Sequence, residues 1–292
     1  MEFSNGPHLN ISPEMHYSFR KKSWDLSAPN SVKVFGILNI TPDSFSDGGK
    51  FLGMEQALRQ ADKMIEDGAD ALDIGGESTR PKAEPVSIEE ERKRILPVLR
   101  EVRRRWDGAI SIDTSKAVIA HEALSEGADI INDVSAGSDP TMAHEIKEFQ
   151  AGWIIMHMQG TPQTMQTKPH YTNVVKEVND FFRQKVERWV GLQVRSEQLA
   201  IDPGIGFGKS VQHNVDLLLH LDELKGLGFP LMVGLSRKSF LVHLAGLKER
   251  DSRVNASVAA GLAAVSKGCN FLRVHDVKET VEALKVYQAL IG

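Results

Sequence analysis

The sequence predicts an α/β protein with a single (β/α)8 barrel of the TIM type, preceded by a short N-terminal extension. Eight short apolar runs recur along the chain, and each is followed by small polar residues and then by a segment with helical spacing. Runs rich in β-branched residues indicate strands that are buried on both faces of a parallel sheet. Eight such units in about 260 residues match the size of a closed barrel. An open doubly wound sheet is the structural alternative.

The N-terminal extension comprises residues 1–31, which are polar, contain three prolines and show no sustained period. We expect this segment to be ordered only in part, with Trp24 and Leu26 docking it onto the barrel. The barrel then occupies residues 32–292 as one domain.

The strands and helices of the barrel alternate from residue 32 onward. The predicted helix SIEEERKRILPVLREVRRRW (87–106) opens with a capping-box pattern of Ser87 and Glu90. Three helix ends place a glycine shortly before the next strand, as in EDGADALDIGG (66–76). The eight predicted strands are VKVFGILN (32–39), DALDIGG (70–76), AISIDT (109–114), DIINDV (129–134), GWIIMHM (152–158), LAIDPG (199–204), PLMVGLS (230–236) and FLRVHD (271–276).

Composition excludes several classes of protein. The net charge of −4 provides no general attraction for nucleic acid or for a membrane surface, so an anionic ligand needs local cations. The single cysteine, Cys269, excludes an intrachain disulfide and indicates a reducing compartment. No apolar run approaches the length of a membrane span, and the N-terminus lacks the pattern of a secretory signal. We therefore expect a cytoplasmic protein without nucleic-acid or membrane partners.

Polar residues stand at the end of every predicted strand. In a TIM-type barrel the active site lies at the C-terminal ends of the strands. One polar strand end is ordinary, but eight on one rim predict a binding site. These residues are Asn39, Asp73, Asp113, Asn132, His157 with Gln159, Asp202, Ser236 with the following Arg237 and Lys238, and Arg273 with His275.

The residues on this rim have two chemical characters. One group mixes donors and acceptors, which suits the edge of a flat heterocycle with several ring N–H groups: Asp113, Asn132, Asp202 and Lys238. The other group suits an anion, such as a phosphate with a divalent metal: Asn39, Arg80, Arg273 and His275. Strand alternation places residues 273 and 275 on one face. A surface salt-bridge network with Asp276 is the alternative for that pair.

The segment GIGFGKS (204–210) resembles two phosphate-binding motifs without matching either. It has one residue too few between its glycines for a Walker A loop, and it lacks the final spacing of a dinucleotide fingerprint. We interpret it as a flexible loop that lets Phe207 lean over the site. In the segment SRKS (236–239), Ser239 lies near a predicted helix start, which favours a carboxylate or phosphate. His157 and Met156 are further candidates for the lining of the pocket.

Together these segments resemble the dihydropteroate synthases, a family of the folate pathway. The resemblance runs from about Lys33 to the C-terminus, with the motifs in family order. The motifs are GILNITPDSFSDGG, DIGGESTRP, SIDTSK, INDV, LAIDPGIGFGK, GLSRKSF and LRVHDVKET.

The resemblance implies a reaction and its ligands. The family condenses 6-hydroxymethyl-7,8-dihydropterin diphosphate with p-aminobenzoate, uses Mg²⁺ and releases pyrophosphate. Diphosphate leaves first, and the amine then attacks a cationic pterin methylene. Sulfonamides compete with p-aminobenzoate, and the sulfonamide-contacting segments here are ordinary for the family. The family precedent is a homodimer. The chain lacks the extra domains of multifunctional folate enzymes, so we expect a monofunctional, sulfonamide-sensitive enzyme.

The resemblance also assigns roles to residues. For the pterin they are Asp113, Asn132, Asp202 and Lys238. For the diphosphate they are Asn39, Arg80, Arg273 and His275, with Asn39 as the metal ligand. For p-aminobenzoate they are Phe45, Pro81, Phe207, Lys238 and Ser239. The implied catalytic residues are Asp47, which would stabilise the cation, with Lys238, Arg273 and His275.

Two other functions fit part of the pattern. A methyltetrahydrofolate-dependent methyltransferase would share the deep pterin ring but would not need the anion-binding group. A non-catalytic pterin-binding barrel would keep the deep pocket and lose the loop chemistry of Asn39, Asp47 and Arg80.

Overall fold

The computed structural model describes residues 15–28, 31–40, 50–80, 83–248 and 252–291. Three of the residues with implied roles, Phe45, Asp47 and Pro81, lie outside these ranges. Their roles therefore remain predictions from the sequence.

The described residues form a hairpin followed by alternating strands and helices. The hairpin strands are β1 (His16–Phe19) and β2 (Lys22–Asp25). The barrel strands are β3 (Lys33–Asn39), β4 (Ala71–Gly75), β5 (Ala109–Asp113), β6 (Ile130–Asp133), β7 (Gly152–Met156), β8 (Leu199–Asp202), β9 (Met232–Gly234) and β10 (Phe271–Val274). The helices are α1 (Lys50–Glu66), α2 (Ile88–Arg105), α3 (Ala117–Ser125), α4 (Met142–Phe149), α5 (Val174–Gly191), α6 (Val211–Leu219), α7 (Leu221–Lys225), α8 (Phe240–Ala245), α9 (Val254–Ser266) and α10 (Val277–Ile291).

The barrel strands pair in parallel around a closed sheet. Within the described residues their order is β8-β7-β6-β5-β4-β3-β10-β9. A parallel bridge between Ile201 in β8 and Leu231, just before β9, joins the two ends of this series. The predicted (β/α)8 barrel is confirmed, and the open doubly wound sheet is not what the chain forms. None of the described helices has the length and apolar character to cross a membrane.

The apolar core has two parts. The larger part fills the space between the strands and the surrounding helices, where residues such as Leu72, Ile112 and Leu99 are fully buried. The smaller part fills the inside of the barrel at the N-terminal ends of the strands, around Phe35 and Phe271. Because both parts are apolar, the polar side chains gather at the opposite, C-terminal end.

The N-terminal hairpin closes the bottom of the barrel. The Trp24 ring lies edge-on to Phe35 and Phe271, with centroid distances of 5.8 and 5.6 Å. Leu26 is buried in the same cluster. The docking predicted for Trp24 and Leu26 is confirmed, and Tyr17 and Phe19, which the sequence analysis did not single out, are buried there as well.

Two local predictions need correction. The Ser87 side chain caps α2 by accepting from Glu90 N at 3.2 Å, but the Glu90 carboxylate pairs with Arg94 Nε at 2.9 Å. The capping box is therefore only half formed, because a nearby guanidinium is the stronger partner for the carboxylate. Asp73 lies in the middle of β4 instead of at its end, so its carboxylate is inside the barrel.

Candidate active site

One cleft opens at the C-terminal ends of the barrel strands. Every described residue to which the sequence resemblance assigns a role lines this cleft, including members of both chemical groups. They are Asn39, Arg80, Asp113, Asn132, Asp202, Phe207, Lys238, Ser239, Arg273 and His275. Met156 also lines the cleft. His157 is instead buried beneath a loop, where its Nδ1 atom lies 3.0 Å from Lys209 Nζ.

A charged network occupies the floor of the cleft. The Arg273 guanidinium donates to Asp73 Oδ2 at 2.5 Å and to Asp113 Oδ2 at 2.7 Å. Asn132 Nδ2 donates to the same Asp73 oxygen at 3.1 Å, and Asp73 is fully buried. Arg273 therefore joins the deep ring of hydrogen-bonding groups, although the sequence analysis placed it only in the anion-binding group.

Burial controls the protonation of Asp113. Loss of hydration raises the pKa of this carboxyl to about 7, while the charge of Arg273 opposes the rise. Asp202 is also buried and has a raised pKa for the same reason, opposed by Lys238. Its Oδ1 atom accepts from Gly204 N at 2.7 Å, which fixes the carboxylate at the end of β8. Both acids thus face the cleft in fixed positions.

Lys238 and Phe207 form one wall of the cleft. The Lys238 ammonium lies 4.2 Å from the centroid of the Phe207 ring, which is a cation–π contact. Lys238 also donates to the backbone oxygen of Ile205. Burial lowers the pKa of Lys238 to about 8, and Asp202 opposes this shift. A flat aromatic ligand beside Phe207 would meet an apolar face and a cation together.

The glycines of the 204–210 segment serve close packing. Gly204 and Gly208 have positive φ angles of 65° and 61°. A Cβ atom would lie 1.9 Å from His157 O at Gly204, and 2.5 Å from Gln159 O at Gly208. Larger residues would therefore collide with the backbone after β7. The prediction of a flexible loop is therefore wrong. The segment is tightly packed, because its glycines permit close contact between two backbones.

The side chains of the anion-binding group differ in their surroundings. Ser236 Oγ accepts from the His275 backbone N at 3.1 Å and lies 3.0 Å from His275 Nδ1. Burial, together with Arg237 and Arg273, lowers the pKa of His275 to about 4. When the Ser236 hydroxyl donates to Nδ1, the neutral ring carries its own proton on Nε2.

The alternative of a salt-bridge network between Arg273, His275 and Asp276 is wrong for Arg273. Asp276 pairs with Arg237, whose NH2 atom lies 2.5 Å from its carboxylate. Arg273 instead points inward to Asp73 and Asp113. Arg80, another member of the group, is exposed at the cleft, and so is Ser239, the residue predicted for the carboxylate of p-aminobenzoate.

Asn39 fits the donor chemistry of a magnesium site. It ends β3, is exposed, and lies beside Gly75, where an added methyl group would be 3.6 Å from Asn39 Oδ1. Mg²⁺ prefers hard oxygen ligands, and it commonly takes few from the protein and the rest from water and substrate phosphates. A single amide oxygen at an open cleft agrees with that habit.

Sequence reasoning named two functional residues without giving them roles and missed a third. Asp73 and Ser236 appeared among the polar strand ends, but only the structure shows that they hold Arg273 and His275. Lys209 is buried and contacts His157, and its pKa is lowered by burial to about 7, with Asp202 opposing. The signal for Lys209 was its place at the end of the glycine-rich segment.

Comparison with known protein families identifies the family of this chain. The family model described as "Pterin binding enzyme" matches residues 35–275, which run from within β3 to just past the end of β10. The chain belongs to the pterin-binding enzyme family.

Within that family, dihydropteroate synthases are among the most similar proteins. The enzyme of Haemophilus influenzae is 47% identical over 268 residues, covering 92% of this chain and 96% of the relative. The enzyme of Escherichia coli K12 is 44% identical over 270 residues, covering 92% and 94%. The family resemblance seen in the sequence is confirmed.

Solved structures agree. Yersinia pestis dihydropteroate synthase in a sulfonamide complex has a TM-score of 0.87 at 43% identity, covering 94% of this chain and 99% of that chain. The Xanthomonas albilineans enzyme with 4-aminobenzoic acid has a TM-score of 0.86 at 41% identity, covering 95% and 98%. The same enzyme in complex with 7,8-dihydropteroate has a TM-score of 0.82 at 39% identity, covering 94% and 98%.

Proposed function

We propose that this chain is a dihydropteroate synthase, a transferase that joins 6-hydroxymethyl-7,8-dihydropterin diphosphate to p-aminobenzoate and releases pyrophosphate. One observation carries the proposal. The cleft brings together a deep ring of donors and acceptors, an anion-binding rim and an aromatic wall with a cation. These three parts match the three parts of the two substrates: the pterin ring, the diphosphate and the aminobenzoate.

The pterin ring binds at the floor of the cleft. Asp113 and Asp202 offer carboxylate oxygens to the N–H groups of the pterin, while Asn132 and Lys238 donate to its oxygen and ring nitrogen atoms. Arg273 supports this arrangement by holding Asp113. A ligand that lacks one of these polar atoms leaves a buried partner unpaired, so the site selects strongly for the pterin edge.

The diphosphate binds at the rim above the pterin. Arg80 is exposed there and can donate two hydrogen bonds to phosphate, and His275 offers its Nε2–H. The chemistry that Mg²⁺ supplies when bound is neutralisation of the negative charge on the departing diphosphate. Asn39 is the residue that would hold the ion on the protein side.

The p-aminobenzoate lies against the Phe207–Lys238 wall. Its carboxylate lies near Ser239, and the sequence adds Phe45 and Pro81 as further contacts. With the amine directed at the pterin methylene, binding itself supplies much of the rate acceleration through positioning.

The reaction proceeds by substitution at the pterin methylene carbon. The carbon–oxygen bond to diphosphate breaks first and leaves a cation, which the Asp47 carboxylate stabilises. The arylamine then forms the carbon–nitrogen bond and loses a proton to solvent. No strong base is needed, because an arylamine is neutral and nucleophilic at pH 7. Water must be kept from the cation, because it would compete with the arylamine for the methylene carbon.

We also propose that the enzyme is a homodimer in the cytoplasm. The family resemblance supports the dimer, and a single buried cysteine suits a reducing compartment. Gel filtration with light scattering tests the dimer, and a monomer at micromolar concentration would contradict it. Cell fractionation tests the location.

The decisive experiment mixes the protein with the pterin diphosphate and Mg²⁺, with and without p-aminobenzoate. Pyrophosphate release and dihydropteroate formation are followed together. Equal amounts of both products are expected when p-aminobenzoate is present. Pterin binding without either product would contradict the proposal. The methyltransferase and the non-catalytic pterin-binding barrel would then be the functions to test. A sulfonamide should compete with p-aminobenzoate, and an inhibition constant far above the Michaelis constant for p-aminobenzoate would contradict the predicted sensitivity.

A further inference from the structure

The glycine-rich segment that carries Phe207 has an unusual set of hydrogen bonds. Four successive backbone oxygens, at residues 205–208, each accept from a side chain. The donors are Lys238 to Ile205 O, Gln166 to Gly206 O at 2.8 Å, Lys209 to Phe207 O at 2.9 Å, and Tyr171 to Gly208 O at 2.9 Å. A segment outside regular helix or sheet must satisfy its backbone groups in this way when it is packed closely.

Lys209 is the donor that holds Phe207 itself. Its ammonium also lies 3.0 Å from His157 Nδ1 and 3.4 Å from His157 O, so three acceptors surround one Nζ atom. An ammonium has three protons and no acceptor capacity, so this set uses all of its donors. Lys209 is 3% exposed and His157 7% exposed. The side chain therefore joins the end of β7 to the middle of the 204–208 segment.

His157 is suited to receive this hydrogen bond. Burial and the charge of Lys209 lower the pKa of His157 to about 3, so the ring is neutral and Nδ1 has a free lone pair. The ring is held in place by an edge-on contact with Phe181, at a centroid distance of 4.8 Å. Packing against Phe181 therefore helps to hold the acceptor in the place where Lys209 donates to it.

We propose that Lys209 and His157 are positioning residues that set the place of the Phe207 ring, and with it the affinity for the arylamine substrate. Phe207 N donates to Gly204 O at 3.0 Å, and Phe207 O accepts from Lys209. With both backbone groups held, the ring lies against the Lys238 ammonium, at 4.2 Å from the ring centroid. This inference rests on the proposed synthase function, since it is the arylamine that lies on Phe207.

The kinetic test compares the two substrates. Lys209→Met is expected to raise the KM for p-aminobenzoate about tenfold, the effect of losing a charge-assisted hydrogen bond. The KM for the pterin diphosphate is expected to rise less, because Lys209 reaches the pterin site only through its charge on Asp202. Lys22→Met is the matched control, because Lys22 also donates to a backbone oxygen, that of Asp107, at the far end of the barrel. Equal increases in both KM values, or no increase in either, would overturn the proposal.

His157 provides the conservative rescue. His157→Leu removes the acceptor and should reproduce the selective increase in KM for p-aminobenzoate. His157→Asn places an amide oxygen near the position of Nδ1 and should restore most of the affinity. If the Asn and Leu variants behave alike, the acceptor role of Nδ1 is wrong.

Hydrogen exchange tests the inference without reference to turnover. In Lys209→Met the amides of residues 204–208 should exchange faster than in the wild type, while those of the 16–25 hairpin should be unchanged. Unchanged exchange in 204–208 would overturn the positioning role whatever the activity. Failure of the wild-type protein to form dihydropteroate would instead overturn the proposed function, and exchange would still decide this inference.

Discussion

Replacing Arg273 with Met tests the network on the floor of the cleft. Arg273 contacts Asp73 at 2.5 Å and Asp113 at 2.7 Å, and these acids are 0% and 7% exposed. Removing one partner from a buried ion pair leaves an uncompensated charge, which costs about 3–5 kcal/mol. For 292 residues the unfolding entropy is about 0.6 kcal/mol/K, so a loss of about 4 kcal/mol lowers the Tm by about 7 °C.

The loss should depend on pH in a direction set by Asp113. Its pKa is raised to about 7 by burial, and Arg273 opposes the rise, so the pKa in the variant lies higher still. A carboxyl with a raised folded pKa contributes stability that is present below its unfolded pKa, near 4, and is lost as pH rises through the folded pKa. In the wild type, Asp113 is deprotonated soon above pH 7, and its contribution to stability does not fall further. In the variant, the higher folded pKa means that stability continues to fall above that pH. The deficit should grow by about 1–2 kcal/mol between pH 6 and pH 8.5.

The assay is urea unfolding at both pH values, with the midpoint and slope fitted separately. Arg100→Met is the control, because it breaks a bidentate pair with Glu126 in which the Arg100 side chain is 58% exposed. Exposed pairs contribute about 0.2–1 kcal/mol, so this variant should stay close to the wild type. If Arg273→Met loses less than about 1 kcal/mol, or loses the same at both pH values, the account of a buried, charge-compensated network is refuted.

Three further predictions follow from the cleft and the barrel floor. Because burial lowers the pKa of Lys238 to about 8, kcat/KM for p-aminobenzoate should fall above that pH, and a pH–rate profile of Lys238→Met should lack this fall. Phe19→Ala should lower the free energy of unfolding in urea by about 3–5 kcal/mol, because Phe19 is 1% exposed in the hairpin core. The folded variant should still bind p-aminobenzoate normally, and weakened binding would contradict the separation of the N-terminal end of the barrel from the cleft. Removal of Mg²⁺ with a chelator should stop pyrophosphate release. Asn39→Ala should raise the Mg²⁺ concentration needed for half-maximal rate by about tenfold, and an unchanged Mg²⁺ requirement would show that Asn39 is not a metal ligand.

Much of the fold could be read from local patterns. Strands and helices were predicted in the right order, because each strand is a short apolar run and the helices have the 3.6-residue period. The polar strand ends also predicted which rim carries the site, since parallel strands in a closed barrel present their C-terminal ends together. Cap chemistry was harder, as Glu90 shows, because a partner one turn away competed for the same carboxylate.

The partners of the site residues could not be predicted in this way. Arg273 lies 200 residues from Asp73 and 160 from Asp113, so no local pattern relates them. The sequence showed an arginine suited to phosphate, while the closed sheet brings two buried acids within reach of it. In that setting an ion pair in the barrel becomes the favourable arrangement, because buried carboxylates need a nearby cation.

Sequence by itself determined the barrel, the family and the rim where the polar groups of the cleft lie. Tertiary structure decided how those groups are held: Asp73 beneath Arg273, Ser236 beside His275, and Lys209 between His157 and Phe207. The physical reason is that strand and helix formation depend on neighbours within a few residues, whereas the position and protonation of a buried polar side chain depend on whichever distant groups the closed sheet places around it.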